Sequence, residues 1–114
     1  MIPAFEVDGN LPAGIHWATW QEFRERFATT PHRTRLITGL KAALDSLRRA
    51  GCRTAYIDGS FVAAREEPHD FDACWDIEDV NPELLDPILL KFDDGRAAQK
   101  AKYLGELFPA QTRE

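Results

Sequence analysis

The sequence is poor in cysteine and in basic residues. Its 114 residues include two cysteines, Cys52 and Cys74, so neither a disulfide-stapled scaffold nor a cysteine-rich zinc site is expected. Fourteen Lys and Arg residues stand against nineteen Asp and Glu residues, which gives a net charge of −5. Because general nucleic-acid binding needs clustered basic residues, this balance argues against an extended nucleic-acid interface. A free nucleotide or one exposed RNA end stays compatible with it.

The sequence also lacks long apolar runs. No stretch is long enough to span a membrane, and residues 1–14 lack the basic and apolar regions of a signal peptide. We therefore expect a cytoplasmic protein whose two cysteines are reduced. The length and an ordinary composition, 44% hydrophobic and 29% charged, predict a single domain over residues 1–114.

Two helices are predicted ahead of the first strand. A capping box that begins at Thr19 precedes an apolar stripe, which predicts a short helix over residues 19–28. Thr30 followed by proline suits the start of a second helix over residues 31–50. Leucines recur along this second helix at helical spacing and should face the core: Leu36, Leu40, Leu44 and Leu47.

The later elements predict an α/β (α+β) fold, with a small mixed sheet flanked by helices. Residues 54–57 and 71–77 are rich in β-formers and are predicted to be strands. A short helix is expected to start at Asn81 and Pro82. Residues 88–92 fit either a third strand or a continued helix, and residues 96–104 fit a final helix with a small apolar face.

Two short motifs carry most of the functional information. Gly59 and Ser60 form a small turn directly after the first predicted strand, and ten residues separate Gly59 from Asp70. Asp70 and Asp72 lie at positions i and i+2 of the second predicted strand, so their side chains project to one face. Two carboxylates held that close repel each other unless a cation lies between them. The pattern suits a site that holds a divalent cation and phosphates.

The spacing of these motifs resembles the signature of the polymerase-β-type nucleotidyltransferase superfamily, in which a hydrophobic-Gly-Ser turn is followed by Asp-x-Asp. More narrowly, the chain is similar to a group of small bacterial nucleotidyltransferase-like proteins of unknown function. The stretches that carry this likeness cover most of the chain and are Gly14 to Trp17, Tyr56 to Val62, Asp70 to Trp75 and Gly105 to Ala110.

The resemblance implies a minimal nucleotidyltransferase-like fold that transfers a nucleotidyl group from an NTP to a protein or RNA hydroxyl. Small proteins of this superfamily often serve in toxin–antitoxin modules. Carried over residue by residue, Gly59 would allow close backbone approach to the nucleotide, and Ser60 would bind its terminal phosphates. Asp70 and Asp72 would be the catalytic pair and would hold Mg²⁺ or Mn²⁺.

The chain departs from the superfamily pattern at the third carboxylate. The superfamily places it on a later strand, and no later strand with a suitable acidic residue is evident from the sequence. Asp93 and Asp94 fall in a predicted turn, and Glu106 lies close to the C-terminal end. Three alternatives therefore stay open: an active nucleotidyltransferase, a catalytically inactive nucleotide- or partner-binding protein of the antitoxin or inhibitor type, and a structural domain with an incidental Asp-x-Asp.

A partner surface is also expected. The chain is predicted to lack a C-terminal strand that the similar proteins have, which would leave a sheet edge and apolar area uncovered. A homodimer or a protein partner would cover that area. The candidate surface comprises Tyr103, Leu107 and Phe108, joined by Trp17 and Trp20.

Overall fold

The computed structural model describes residues 1–110. A leader, residues 1–19, precedes three helices and a three-stranded mixed sheet, which confirms the predicted α+β fold class. None of the helices in residues 1–110 is long and apolar enough to cross a membrane. The elements in chain order are α1 (Trp20–Phe27), α2 (Pro31–Arg49), β1 (Ala55–Asp58), a 3₁₀ helix (Gly59–Val62), β2 (Phe71–Asp76), a second 3₁₀ helix (Pro87–Leu90), α3 (Asp93–Tyr103) and β3 (Gly105–Ala110).

Both predicted helix starts are confirmed. The Thr19 hydroxyl accepts from the Glu22 amide at 3.1 Å, and the Glu22 carboxylate accepts from the Thr19 amide at 2.8 Å, which completes the capping box of α1. The Thr30 hydroxyl accepts from the Arg33 amide at 3.1 Å and caps α2. Three of the four predicted core leucines of α2 are buried, whereas Leu44 is only half-buried.

The sheet has the strand order β1-β2-β3, with β1 antiparallel and β3 parallel to the central strand β2. Phe71, Ala73 and Trp75 alternate along β2 and are buried, as the sequence predicts. They join the apolar face of α2 in one hydrophobic core. The opposite face of the sheet carries the acidic residues, which are only partly covered.

The predictions after residue 80 are partly wrong. The chain at Asn81 and Pro82 forms a turn instead of a helix, and residues 88–92 form neither a strand nor a regular helix. The Asp86 carboxylate accepts from the Ile88 amide at 3.0 Å and caps a 3₁₀ helix there. The third strand is instead β3. It was not predicted from the sequence because Pro109 argues against a strand there. An edge strand tolerates a proline because one side of its backbone needs no ladder partner.

A left-handed turn opens α3. Asp94, Gly95 and Arg96 form it with φ angles of 52°, 63° and 64°, and the regular helix begins after them. Leu104, with a φ of 68°, ends the helix, and β3 begins at the next residue. This tight connection brings the side chains of α3 directly alongside the first residues of β3.

The predicted partner surface is wrong at its centre. Tyr103 is 2% exposed and Leu107 is 0% exposed, so both belong to the core. The end of α3 packs closely on α2, since a Cβ placed on Gly39 would lie 2.0 Å from the Tyr103 carbonyl oxygen. Of the five residues, Trp17 is the one that is largely exposed, at 62%.

Candidate functional site

Three carboxylates converge on the open face of the sheet. The strand register pairs Asp72 with Asp58 on one side and with Glu106 on the other, and paired residues project to the same face. Asp70 precedes Asp72 by two residues and shares that face. Oxygen atoms of Asp70, Asp72 and Glu106 all lie within 4.8 Å of one another. We call these three residues the acidic cluster.

Glu106 is the residue that the sequence alone did not reveal. The sequence shows no clear later strand with an acidic residue and leaves the third carboxylate open, whereas in the structure Glu106 is the second residue of β3. The signal that could have found it is weak: an acidic residue between Gly105 and Leu107, shortly before the proline that obscures the strand. Only the pairing of β3 with β2 brings Glu106 beside Asp72.

The surroundings of the two aspartates disfavour their charged forms. Burial raises the pKa of Asp70, and the negative charge of Glu106 raises it further, against a smaller opposing effect of Lys100. Burial also raises the pKa of Asp72, with added repulsion from Asp70, Glu106 and Asp58. Either a bound proton or a nearby positive charge therefore relieves the repulsion within the cluster.

Two cations beside the cluster pair with Glu106. Arg96 Nη1 lies 3.0 Å from Glu106 Oε1, and Lys100 Nζ lies 3.3 Å from Glu106 Oε2. The Arg96 guanidinium also lies 4.1 Å from the centre of the Phe108 ring. Neither Asp70 nor Asp72 forms an ion pair with any residue in the range 1–110.

The Gly-Ser turn lies directly against the cluster. Gly59 has a φ of +82°, and a Cβ on it would lie 2.7 Å from Asp72 Oδ2. The positive φ favours glycine at this position, and the absence of a Cβ lets the turn lie close to the Asp72 carboxylate. Ser60 is the next residue of the 3₁₀ helix and is half-buried. The structure thus brings Gly59, Asp70 and Asp72 together, and Ser60 follows Gly59 directly in the same turn.

Arg33 holds the segment that follows the Gly-Ser turn through hydrogen bonds. The sequence patterns did not predict a role for this residue. Its side chain is 2% exposed and has carbonyl oxygens as its hydrogen-bond partners, at 3.3 Å for Phe27, 2.7 Å for Phe61, 2.8 Å for Ala63 and 2.7 Å for Arg65. Burial lowers the pKa of its guanidinium. These bonds fix the segment after Ser60. The available signal was an arginine at helical spacing from the core leucines of α2.

Comparison with known proteins gives a family but no activity. Residues 3–114 match a family described as "Family of unknown function (DUF6932)". No curated protein and no solved structure matches the chain. The family match covers nearly the whole sequence and assigns no substrate, cofactor or site residue.

Proposed function

We propose that the chain, which belongs to the DUF6932 family, is a nucleotidyltransferase-like protein that binds an NTP together with Mg²⁺ or Mn²⁺. In this proposal it transfers the nucleotidyl group to a hydroxyl of a protein or an RNA, and it shares ancestry with the polymerase-β-type superfamily. The observation that carries the proposal is the convergence of Asp70, Asp72 and Glu106 within 4.8 Å, beside a glycine turn.

The residues of the cluster fit a hard divalent cation. They offer only carboxylate oxygens, which are the protein ligands that Mg²⁺ and Mn²⁺ prefer. The pKa values of Asp70 and Asp72 are raised, so these carboxylates gain from a nearby positive charge. A divalent cation held there would withdraw charge from the phosphates of a bound NTP. Because the third carboxylate is present, the ligand set is larger than the sequence indicated.

The reaction then assigns roles to the chain's own groups. The acceptor hydroxyl oxygen forms a bond to the α-phosphorus, the bond from that phosphorus to the β-phosphate bridging oxygen breaks, and pyrophosphate leaves. The hydroxyl proton passes to a carboxylate of the acidic cluster. Ser60 and the amides of the turn that it shares with Gly59 would hold the terminal phosphates. We place this reaction in the cytoplasm, where NTPs are abundant and the thiols of Cys52 and Cys74 stay reduced.

The ion pairs of Glu106 favour a second candidate function. If Arg96 and Lys100 keep Glu106 as a structural partner, two aspartates are left to hold a cation, and the chain binds a nucleotide or a protein without turnover. An inhibitor or antitoxin of a toxin–antitoxin module would have this property. In the first candidate, Glu106 is needed for transfer of the nucleotidyl group. In the second, Glu106 is needed only for folding.

Transfer from labelled NTPs tests the proposal. Each labelled NTP is incubated with the protein, Mg²⁺ or Mn²⁺ and cell lysate as the source of acceptor. We expect label on a macromolecule, no label with Asp70→Asn/Asp72→Asn, and a loss on the order of a hundredfold with Glu106→Gln. The matched control is Asp45→Asn, which alters an exposed carboxylate of α2 paired with Lys41.

Thermal melting separates the two candidates. A ligand that binds only the folded state raises its melting temperature. A rise with NTP and metal that depends on Asp70 and Asp72, without any transfer of label, would favour the binding protein. A double variant that responds to NTP and metal like the parent would place the site elsewhere and contradict both candidates.

A further inference from the structure

A groove runs along the free edge of β1, away from β3. Its volume is about 760 Å³, and it lies between the leader, α1, the C-terminal half of α2 and β1. This size falls in the range of small-molecule sites. Leu44, which the helical pattern assigns to the core, is half-buried because it lines this groove.

The strand edge that faces the groove has unused hydrogen-bonding groups. The Asp76 amide donates to the carbonyl of Thr54, the residue before β1, at 3.0 Å, so Tyr56 and Asp58 are the residues of β1 that bond to β2. The amides and carbonyls of Ala55 and Ile57 therefore point away from β2, and both residues line the groove. No residue in the range 1–110 is hydrogen-bonded to these four groups.

The opposite edge of the sheet shows the contrast. There Gln99, which is 0% exposed, accepts from the Leu107 amide of β3 at 2.8 Å and donates to the Lys91 carbonyl at 3.3 Å. A buried side chain thus covers the edge of β3. The edge of β1 keeps its donors and acceptors available to a ligand.

Aromatic side chains line the same groove. Trp17 is 62% exposed, and its ring centre lies 5.8 Å from that of Tyr56. Trp20 and Phe23, which stack at 5.7 Å, also line the groove. Exposed indole beside a tyrosine offers flat apolar surface on which a planar ring can stack.

The groove is continuous with the acidic cluster through one turn. Its lining includes Asp58 and Gly59, and Gly59 lies against Asp72. A molecule with a flat ring in the groove and phosphates at the turn would occupy both places. A nucleotide has this shape.

We infer that the groove binds the purine base of a nucleotide, with the edge of the base on the backbone of Ala55 and Ile57 and a ring face against Trp17. This inference rests on the proposed function, since the phosphates connect the groove to the cluster. Purine edges place a donor beside an acceptor, which complements the N–H and C=O of one outward-facing strand residue. The two fused rings of a purine cover more of the aromatic wall than a pyrimidine does.

An extended peptide is the other class of ligand that pairs with a strand edge. The edge of β1 favours the base, because only Ala55 and Ile57 face outward and the leader bounds the groove on its other side.

Titration with nucleosides in the absence of metal tests the inference separately from the proposed function. Adenosine, guanosine, cytidine and uridine lack phosphates, so their binding reports the groove alone. We expect saturable calorimetric binding of a purine nucleoside, weakened about tenfold by Trp17→Ala through lost stacking. Asp70→Asn/Asp72→Asn should leave this binding unchanged. The matched control is Leu84→Ala, which removes an equally exposed side chain outside the groove, at 62%.

The outcomes distinguish the two ideas. Equal or tighter binding of pyrimidine nucleosides, or an equal effect of Trp17→Ala and Leu84→Ala, would overturn the purine groove. If Trp17→Ala weakens the binding of a purine nucleoside, the groove is upheld. If NTP with Mg²⁺ then binds no more tightly than the nucleoside, the metal site is contradicted. Metal-dependent NTP binding that Trp17→Ala does not alter would uphold the metal site and overturn the purine groove.

Discussion

Helix α3 lies beside two carboxylate sites that differ in how well their charges are matched. At one, Asp86 accepts from Lys102 at 2.6 Å, from Tyr103 at 2.5 Å and from the Ile88 amide at 3.0 Å. At the other, three carboxylates of the acidic cluster share two cations, and both cations pair with Glu106. The same helix thus completes one acidic site and leaves the other short of positive charge.

The pKa directions of the two sites reflect this difference. Burial acts to raise the pKa of Asp86, but the hydrogen bonds from Lys102, Tyr103 and the Ile88 amide outweigh it and lower that pKa. At Asp70 and Asp72 burial and neighbouring carboxylates act together and raise both pKa values. A carboxylate with a full set of donors stabilises the fold, whereas carboxylates without one are suited to an incoming cation.

A charged group whose hydrogen bonds are all satisfied is expected to stabilise the fold. Removing the charge of Arg33 should change stability more than any other substitution considered below. Arg33→Met keeps an unbranched apolar stem in the core and removes every side-chain donor from four carbonyl oxygens. We expect a loss of about 2–4 kcal/mol in the free energy of unfolding, measured by urea denaturation. Arg35→Met, an exposed position on the same helix, is the matched control. Equal stability of the two variants would contradict a structural role for the bonding of Arg33.

Neutralising one carboxylate in each site gives smaller effects of opposite sign. Asp86→Asn should cost about 1 kcal/mol of folding stability, because charge-assisted hydrogen bonds weaken. Asp72→Asn should cost nothing or stabilise slightly in the presence of a chelator, because it removes repulsion from Asp70 and Glu106. Urea denaturation without divalent metal measures both. A larger loss for Asp72→Asn than for Asp86→Asn would reverse the assignment of structural and functional site.

The sequence predicts local features of this fold well. The capping box at Thr19, the buried alternation of Phe71, Ala73 and Trp75, and the α+β class are all confirmed. Each depends on residues close together in the chain, where spacing and side-chain type determine the local structure.

Features that depend on distant contacts were not predictable in the same way. Glu106 becomes part of the cluster only through the parallel pairing of β3 with β2, and a proline in β3 concealed the strand. Arg33 gains its partners from segments about 30 residues away in the chain. Tyr103 looked like a surface residue because its contact with α2 depends on the close approach permitted by Gly39.

The pH dependence of stability should show the smallest difference between the Asp86 site and the acidic cluster. The pKa of Asp86 in the folded state lies below the ordinary value of 3.8, so its contribution is present above about pH 4 and is lost as the pH falls through its folded-state pKa. The pKa of Asp72 lies above 3.8, so the folded state binds the proton more tightly, and stability falls as the pH rises from 3.8 through the folded-state pKa. Melting temperatures taken with a chelator from about pH 3 to pH 7 measure the profile on both sides of the ordinary value. Asp86→Asn should flatten the loss below about pH 4, and Asp72→Asn should flatten the loss above it. If both variants change the same part of the profile in the same direction, the two sites do not differ in the way the structure indicates.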